Sequence, residues 1–565
     1  MGNIKIISID DYGANVNSGE DALPAIISAL DDASKSDIPS IICFSRGRYD
    51  FFTYKANKQV IYISNTASEV ENPDATKILG LSIDSMKDIT IDGNDATIMC
   101  HGKMISIAVL KSENIKIKNL SIDYAHPTVT EMTVISIGER HIDCRVHTDS
   151  QYRITDGKLT WYGENFSFSS GISQIFDPNS GRTWREYGPM EDEKLVWQEL
   201  SKGILRLYFC EDNLEGKQNP YNVEVGQVFQ MRNPIRDQVG VFIYDSTNIS
   251  LESVTMHFMH GLGIIAQNSK DIDIQRIKCI PSNDRTCASF ADFLHFSGCS
   301  GLIRIQDSKF IGANDDVINV HGTHLQITDV SDNTITMRFM HYETYGICGF
   351  NVGDMVEAVD ADTLCTVGSG IIKDFRQLSP YELSIILGED KCGQFKIGDV
   401  IENVTCTPEV IIKNNYFERI PSRGVLITTR RKVIISDNTF NKMVMSGILI
   451  ANDAKFWFES GQVKDVLVER NTFIECGEPV VYIEPENTVI DIKFPVHQNI
   501  KIKNNTFICA KNTVVLSAKS VKGLWFTDNV IKGKCLMNSI ITTGCSNVHI
   551  ESNISPSSTL IVKNQ

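Results

Sequence analysis

With 565 residues and 63.1 kDa, the chain has the length of several domains, and 42% hydrophobic with 22% charged residues supplies an ordinary globular core. Seventy acidic against 54 basic side chains leave a net charge of −16, which argues against a nucleic acid, an anionic membrane surface or a polyanionic substrate as partner. No apolar run approaches the roughly 18 residues of a membrane span, and fifteen scattered cysteines without a CxxC pair argue against zinc and a disulfide framework.

Met1-Gly2-Asn3-Ile4-Lys5 lacks the apolar core of a signal peptide. Asp10-Asp11-Tyr12-Gly13-Ala14 then leads into an amphipathic segment at 21–33, with Leu23, Ile26, Ile27 and Leu30 on one face and Pro24 in the first turn. A helix is predicted there, in a position to cover the open end of a solenoid. Strand-like units flanked by Asn, Asp or Ser follow, beginning with Asn114-Ile115-Lys116-Ile117-Lys118-Asn119 and continuing with Asn248-Ile249-Ser250-Leu251-Glu252-Ser253. In the last third they fall into phase as Asn-x-Phe, and Phe417, Phe440, Phe473 and Phe507 are spaced by 23, 33 and 34 residues. A base period near 23 with insertions of about ten fits coils of a parallel β-helix with three short strands per turn. Apolar positions would then stack at strand spacing, about 4.8 Å, while Asn at the corners tolerates a left-handed backbone and hydrogen-bonds along the stack.

Two stretches interrupt the repeat. The first, 124–240, holds Trp161, Trp184 and Trp197; the second, 324–406, repeats the phrases Val352-Gly353-Asp354-Met355-Val356 and Ile397-Gly398-Asp399-Val400-Ile401. Alternating strands punctuated by Gly turns predict a small β-barrel in each. The expected organisation is a cap and first coils at 1–123, a barrel-like insert at 124–240 and coils at 241–323. A second barrel-like insert follows at 324–406 and closing coils at 407–565.

Between the inserts stand Asp292 and, 23 residues on, Asn314-Asp315-Asp316, followed by His321-Gly322. One coil of separation stacks Asp292 beneath the pair, and three crowded carboxylates favour protonating one of them. A protonated acid beside ionised partners is what glycoside hydrolysis requires. The same pattern is compatible with a calcium site or a structural turn.

The N-terminal order resembles the capping helix of the pectin-lyase-like superfamily, which implies a right-handed parallel β-helix in an otherwise all-β chain. Asp292, Asn314-Asp315-Asp316 and His321-Gly322 resemble the site of polygalacturonases, glycoside hydrolase family 28, although no Arg-Ile-Lys clamp follows and Gly424-Val425-Leu426-Ile427 stands in the later coil. Over essentially its full length the chain more closely resembles glycoside hydrolase family 110, the bacterial exo-acting α-1,3-galactosidases. The Asp-Asp-Tyr-Gly-Ala start, the insertions, the Asp trio and Pro421-Ser422-Arg423-Gly424-Val425-Leu426 carry that resemblance. It implies removal of terminal α-1,3-linked galactose from blood group B or linear Gal-α-1,3-Gal glycans, with inversion and with no metal or other cofactor. In that scheme Asp315 is the general acid, and Asp292 and Asp316 position and deprotonate water. Coil spacing sets these carboxylates closer than the roughly 6.5–9.5 Å usual for inverting enzymes.

His321, Arg423, Asn452 and Glu484 are candidate sugar-binding residues on the same flank, Trp457 a candidate stacking surface, and His295 a support for Asp292. The inserts, the first rich in Trp and Tyr, are expected to rise beside Asp315 and close a pocket with an aromatic wall. Substrate logic points to the periplasm or surface of a bacterium and to a native leader absent from this sequence. The resemblance and the barrel surfaces favour a homodimer. A pectin hydrolase and a non-catalytic carbohydrate-binding β-helix remain the alternatives.

Overall fold

One coil shows how the repeat folds: Glu409–Lys413 and Tyr416–Glu418 meet at an Asn corner, and Val425–Ile427 closes the turn. The next coil repeats it with Lys432–Ser436, Thr439–Asn441 and Ile448–Ile450, paired in parallel and in register with the first. The computed structural model describes residues 3–209, 219–510, 513–533, 539–555 and 562–564. In it the first two strands of every coil form one sheet of 21 strands, and the third strands belong to a second sheet of 14.

Two side-chain columns hold the coils in phase. Phe417, Phe440, Phe473 and Phe507 stack inside the solenoid with ring centroids 4.8–5.0 Å apart and exposures of 1% or less. At the corner, Asn415, Asn438, Asn471, Asn505, Asn529 and Asn553 form a ladder in which each Nδ2 donates to the next Oδ1 at 3.0–3.1 Å. The left-handed backbone falls one residue earlier, on Asn414, Asp437, Arg470, Asn504, Asp528 and Ser552 (φ 55–60°). The two corner tasks expected of one asparagine are thus divided between neighbours: the first residue makes the bend and the second satisfies buried amides, which is why only the second is always Asn.

The N-terminal helix Leu23–Ser34 caps the stack, burying Leu23, Ala25, Ile26, Ala29, Leu30 and Ala33, with Ile27 half-buried at the edge of that face. The second insert is a closed barrel: six antiparallel strands from Leu325–Ser331 to Val400–Asn403 return on themselves through the pairing of Met355–Val359 with Thr366–Gln377. The first is an open seven-stranded antiparallel sheet folded with a three-stranded sheet about one core. Trp161 is fully buried in that core, Trp197 lies in it and Trp184 packs against it. The tryptophans expected to line the pocket are consumed by the insert's own interior, since two small sheets packed about one core need large side chains to fill it. The described cysteines are free thiols, of which only Cys392 is exposed, and no helix among the described residues is long and apolar enough to cross a membrane.

The inserts leave the solenoid at the two ends of the third strand. The first replaces the turn between Glu113–Tyr124 and the third strand Val241–Tyr244; the second follows the third strand Ile318–Thr323. Anything built on the turn before a third strand in the intervening coils therefore has an insert on either side.

Candidate active site

That turn carries the aspartates. Asp292 precedes Leu294–Ser297, Asp315 and Asp316 precede Ile318–Thr323, and Arg423 precedes Val425–Ile427. Leu294 pairs with Ile318, and Ile318 with Val425, so Asp292, Asp316 and Arg423 occupy equivalent places in successive coils. Carboxylate oxygens of the three aspartates lie within 4.8 Å of one another. The first insert braces the turn: Gln174 Nε2 donates to the Asn314 carbonyl at 2.7 Å, and the buried Glu131 carboxylate accepts from the Thr286 and Cys287 amides one coil below.

The three carboxyls differ in environment. Asp316 is saturated: Oδ1 accepts from the Ser422 hydroxyl, the Arg423 amide at 3.0 Å and Arg423 Nε at 2.9 Å, and Oδ2 pairs with the guanidinium at 2.8 Å. Asp315 is the most open, its side chain 20% exposed, and Oδ1 meets Arg185 of the first insert at 2.7 Å. Burial alone would raise its pKa, but Arg185, Arg423, Arg236 and Arg232 together hold it below the ordinary carboxylate value. Asp292 is raised well above that value, first by burial and then by repulsion from Asp315 and Asp316.

With both buried histidines neutral, hydrogen-bond parity places the same proton. His321 Nδ1 lies 2.7 Å from the Gly322 carbonyl, which only accepts, so Nδ1 carries the hydrogen. Burial lowers the pKa of His321; the ring is neutral and its Nε2 is a lone pair, 2.8 Å from His295 Nε2, which must donate. Burial also lowers His295, to about 4, leaving Nδ1 bare. Its partner at 3.0 Å, Asp292 Oδ2, is then the donor. Asp292 Oδ1, the carbonyl oxygen, accepts the Asp316 amide at 3.2 Å. The trio in the free protein is one carboxylic acid, Asp292, beside two acceptors.

The cavity above the trio is walled by Asn65, Arg236, Asn319, Arg423, Trp457 and Glu459, with Leu262 and Leu426 as apolar floor. Among the sequence-derived candidates, Arg423 and Trp457 join the aspartates there. His321 sits behind His295, with 3% exposure. Asn452 accepts the Gly461 amide through Oδ1, Glu484 pairs with Lys519 at 2.9 Å, and neither is part of the cavity wall. In register they correspond to Gly322 and His321, beyond the far end of the third strand, whereas the aspartates precede it.

Sequence reasoning missed Asn65, Arg185, Arg236, Asn319 and Glu459. Glu459 arrives on a two-residue strand, Glu459–Ser460, antiparallel to Gly322–Thr323, and its Oε1 accepts from Asn65 Nδ2 at 2.9 Å. Arg236, in the chain leaving the first insert, pairs with Glu343 of the second. Asn319 stands three residues after Asp316 in the same coil, and its buried Oδ1 has no protein hydrogen-bond partner. The trio's spacing could also hold a cation, but four guanidinium groups already supply the positive charge that a dication would bring.

The match to known proteins follows the same anatomy. The model "GLAA-B beta-barrel domain I" covers residues 130–212, "GLAA-B beta-barrel domain II" covers 334–401, and "Right handed beta helix region" covers 401–555. Alpha-1,3-galactosidase A of Bacteroides thetaiotaomicron is 43% identical over 87% of this chain and 86% of its own. Alpha-1,3-galactosidase A of Bacteroides fragilis is 38% identical over 93% and 87%, and alpha-1,3-galactosidase B of B. thetaiotaomicron is 34% identical over 93% and 86%. Identity at this level runs through nearly the whole of each relative, with both barrel models matched where the coils are interrupted: the chain belongs to the alpha-1,3-galactosidase family.

Proposed function

We propose that this protein hydrolyses terminal α-1,3-linked galactose from glycans, with inversion, and that a single proton shared by the three aspartates drives the reaction. The observation that carries this reading is the trio itself, one buried acid and two acceptors at the base of a cavity, in a chain of this family. The free protein has its proton on Asp292, whereas the family resemblance assigns the acid to Asp315. One transfer reconciles them. A bound sugar excludes water from Asp315 and displaces the half-exposed Arg185, which raises the affinity of Asp315 for a proton. The proton moves from Asp292 to Asp315, so the same event makes Asp315 the acid and Asp292, next to Asp316, the base.

Asp315 then gives its proton to the glycosidic oxygen as the C1–O bond breaks, and Asp292 takes one from the attacking water. Products leave with Asp292 protonated and Asp315 ionised, the resting state, and no further proton is needed. No carboxylate is free to bond to carbon, as inversion requires: Asp316 is held by Ser422 and Arg423, and Asp292 is buried against His295. The carboxylate oxygens lie within 4.8 Å of one another, closer than the separation usual for inverting enzymes, so inversion in this proposal rests on the family resemblance.

Action outside the cytoplasm is part of this proposal, since galactosylated glycans are displayed there. The test is incubation with Gal-α-1,3-Gal and with polygalacturonate, each with and without chelator. Free galactose from the disaccharide, unaffected by chelator, supports the reading. Shortened uronide, or no turnover of either, would overturn it.

A further inference from the structure

We infer that the exposed aromatic shelf outside the catalytic cavity, formed by Trp457 and Phe456 of the β-helix with His341 and Tyr342 of the second barrel, binds the leaving-group saccharide. The inference rests on the proposed galactosidase reading and extends it to the sugars beyond the scissile bond. Trp457 lines both the cavity above the trio and a neighbouring groove of about 680 Å³, so its ring borders both spaces. Phe456 is 70% exposed, Tyr342 58% and Trp457 43%, a cluster of large apolar surface of the kind that marks a binding site. His341 stacks on Trp457 at 4.3 Å and lies 4.7 Å from Tyr342, tying barrel to solenoid.

The shelf is built before a ligand arrives. The buried Asp453 carboxylate accepts the amides of Lys455, Phe456, Trp457 and Phe458, fixing the loop that carries both β-helix aromatics. No carboxylate lines the groove among the described residues, and its one ammonium, Lys455, is paired with Asp362. A neutral occupant with apolar faces fits this chemistry: sugar rings presenting C–H faces to aromatic planes. In an enzyme that removes a terminal residue, the sugars left outside the cavity are those of the leaving group.

The test compares Phe456→Ala and Tyr342→Ala, neither of which lines the catalytic cavity, on an α-1,3-galactosyl oligosaccharide and on α-galactosyl fluoride, whose leaving group is too small to reach the shelf. We expect kcat/KM for the oligosaccharide to fall about ten-fold per aromatic, mainly through KM, with fluoride hydrolysis unchanged and Phe456→Tyr restoring the loss. Equal falls on both substrates, or no fall on either, would overturn the shelf while leaving the galactosidase reading intact. Failure of the unsubstituted protein to hydrolyse both substrates would instead overturn that reading. If Phe456→Ala halves the native mass in solution and spares the oligosaccharide, the shelf's occupant is a second copy of this chain and the inference is lost.

Discussion

Asp292→Asn separates the proton of the trio from its shape. An asparagine reproduces the protonated residue: its N–H would donate to His295 Nδ1 and its carbonyl oxygen would accept the Asp316 amide, replacing contacts at 3.0 and 3.2 Å. The fold should therefore persist, while the proton that becomes the acid and the base that receives the next are both lost. Each proton-transfer role is worth about 10²–10⁴, so kcat should fall by at least about 10⁴-fold. Stability should move the other way. The pKa of Asp292 is raised in the folded state, so the native protein loses stability as pH climbs from the ordinary carboxylate value towards that raised one, by up to about 1.4 kcal/mol per pH unit between the two; the asparagine variant does not. Galactose release measured beside melting temperature at pH 5 and pH 8 checks both. A variant that keeps more than a hundredth of native kcat, or whose advantage in melting temperature fails to grow from pH 5 to pH 8, would refute the shared-proton argument.

Arg185→Met removes the one side chain of the first insert that forms an ion pair with Asp315. The pair is half exposed and worth about 1 kcal/mol, so the acidic limb of kcat/KM should rise by roughly half to one pH unit; an unmoved or lowered limb would show that Arg185 does not control Asp315. Proton NMR of the initial product should find β-galactose, and α-galactose appearing first would reject inversion. Phe473→Ala opens the aromatic column where it is stacked on both sides and should cost about 3–5 kcal/mol, read as a lowered unfolding midpoint in urea with the active-site pH profile unchanged.

The solenoid is legible because its later columns repeat one residue per coil. From Phe417 to Phe507 and from Asn415 to Asn553 the same side chain returns at the same register position, so period and fold are printed together in that part of the chain. The aspartate turn is legible for the same reason: one coil of spacing brings Asp292 beside the Asp315-Asp316 pair, with Asp316 rather than Asp315 in its register position, whereas the contact of Asp316 with Arg423 spans the second insert and has no spacing to announce it. Asn452 and Glu484 stand on that flank too, but past the third strand instead of before it, and alternation of apolar residues does not say on which side a polar residue falls. Asn65, Arg236 and Glu459 carry no signal, because each comes from a segment outside the repeat whose position is set by the inserts. The tryptophans of the first insert misled because an aromatic needed to fill a barrel reads the same as one lining a pocket.

The charge of the site says what the charge of the chain cannot. Around the trio stand Arg185, Arg232, Arg236 and Arg423, facing Asp315, Asp316, Glu343 and Glu459. With Asp292 protonated and both histidines neutral, four cations meet four anions, and the cavity is balanced within a protein of net charge −16. A neutral hexose enters such a site with no electrostatic cost beyond desolvating its hydroxyls. A uronate would bring a further negative charge, and the two guanidinium groups that line the cavity are already engaged, Arg423 by Asp316 and Arg236 by Glu343. Adding a cation for that carboxylate would also stabilise ionised Asp292 and discharge the proton on which the cycle depends. On the proposed mechanism, selection of a neutral sugar and retention of one proton are served by the same arrangement of arginines and carboxylates.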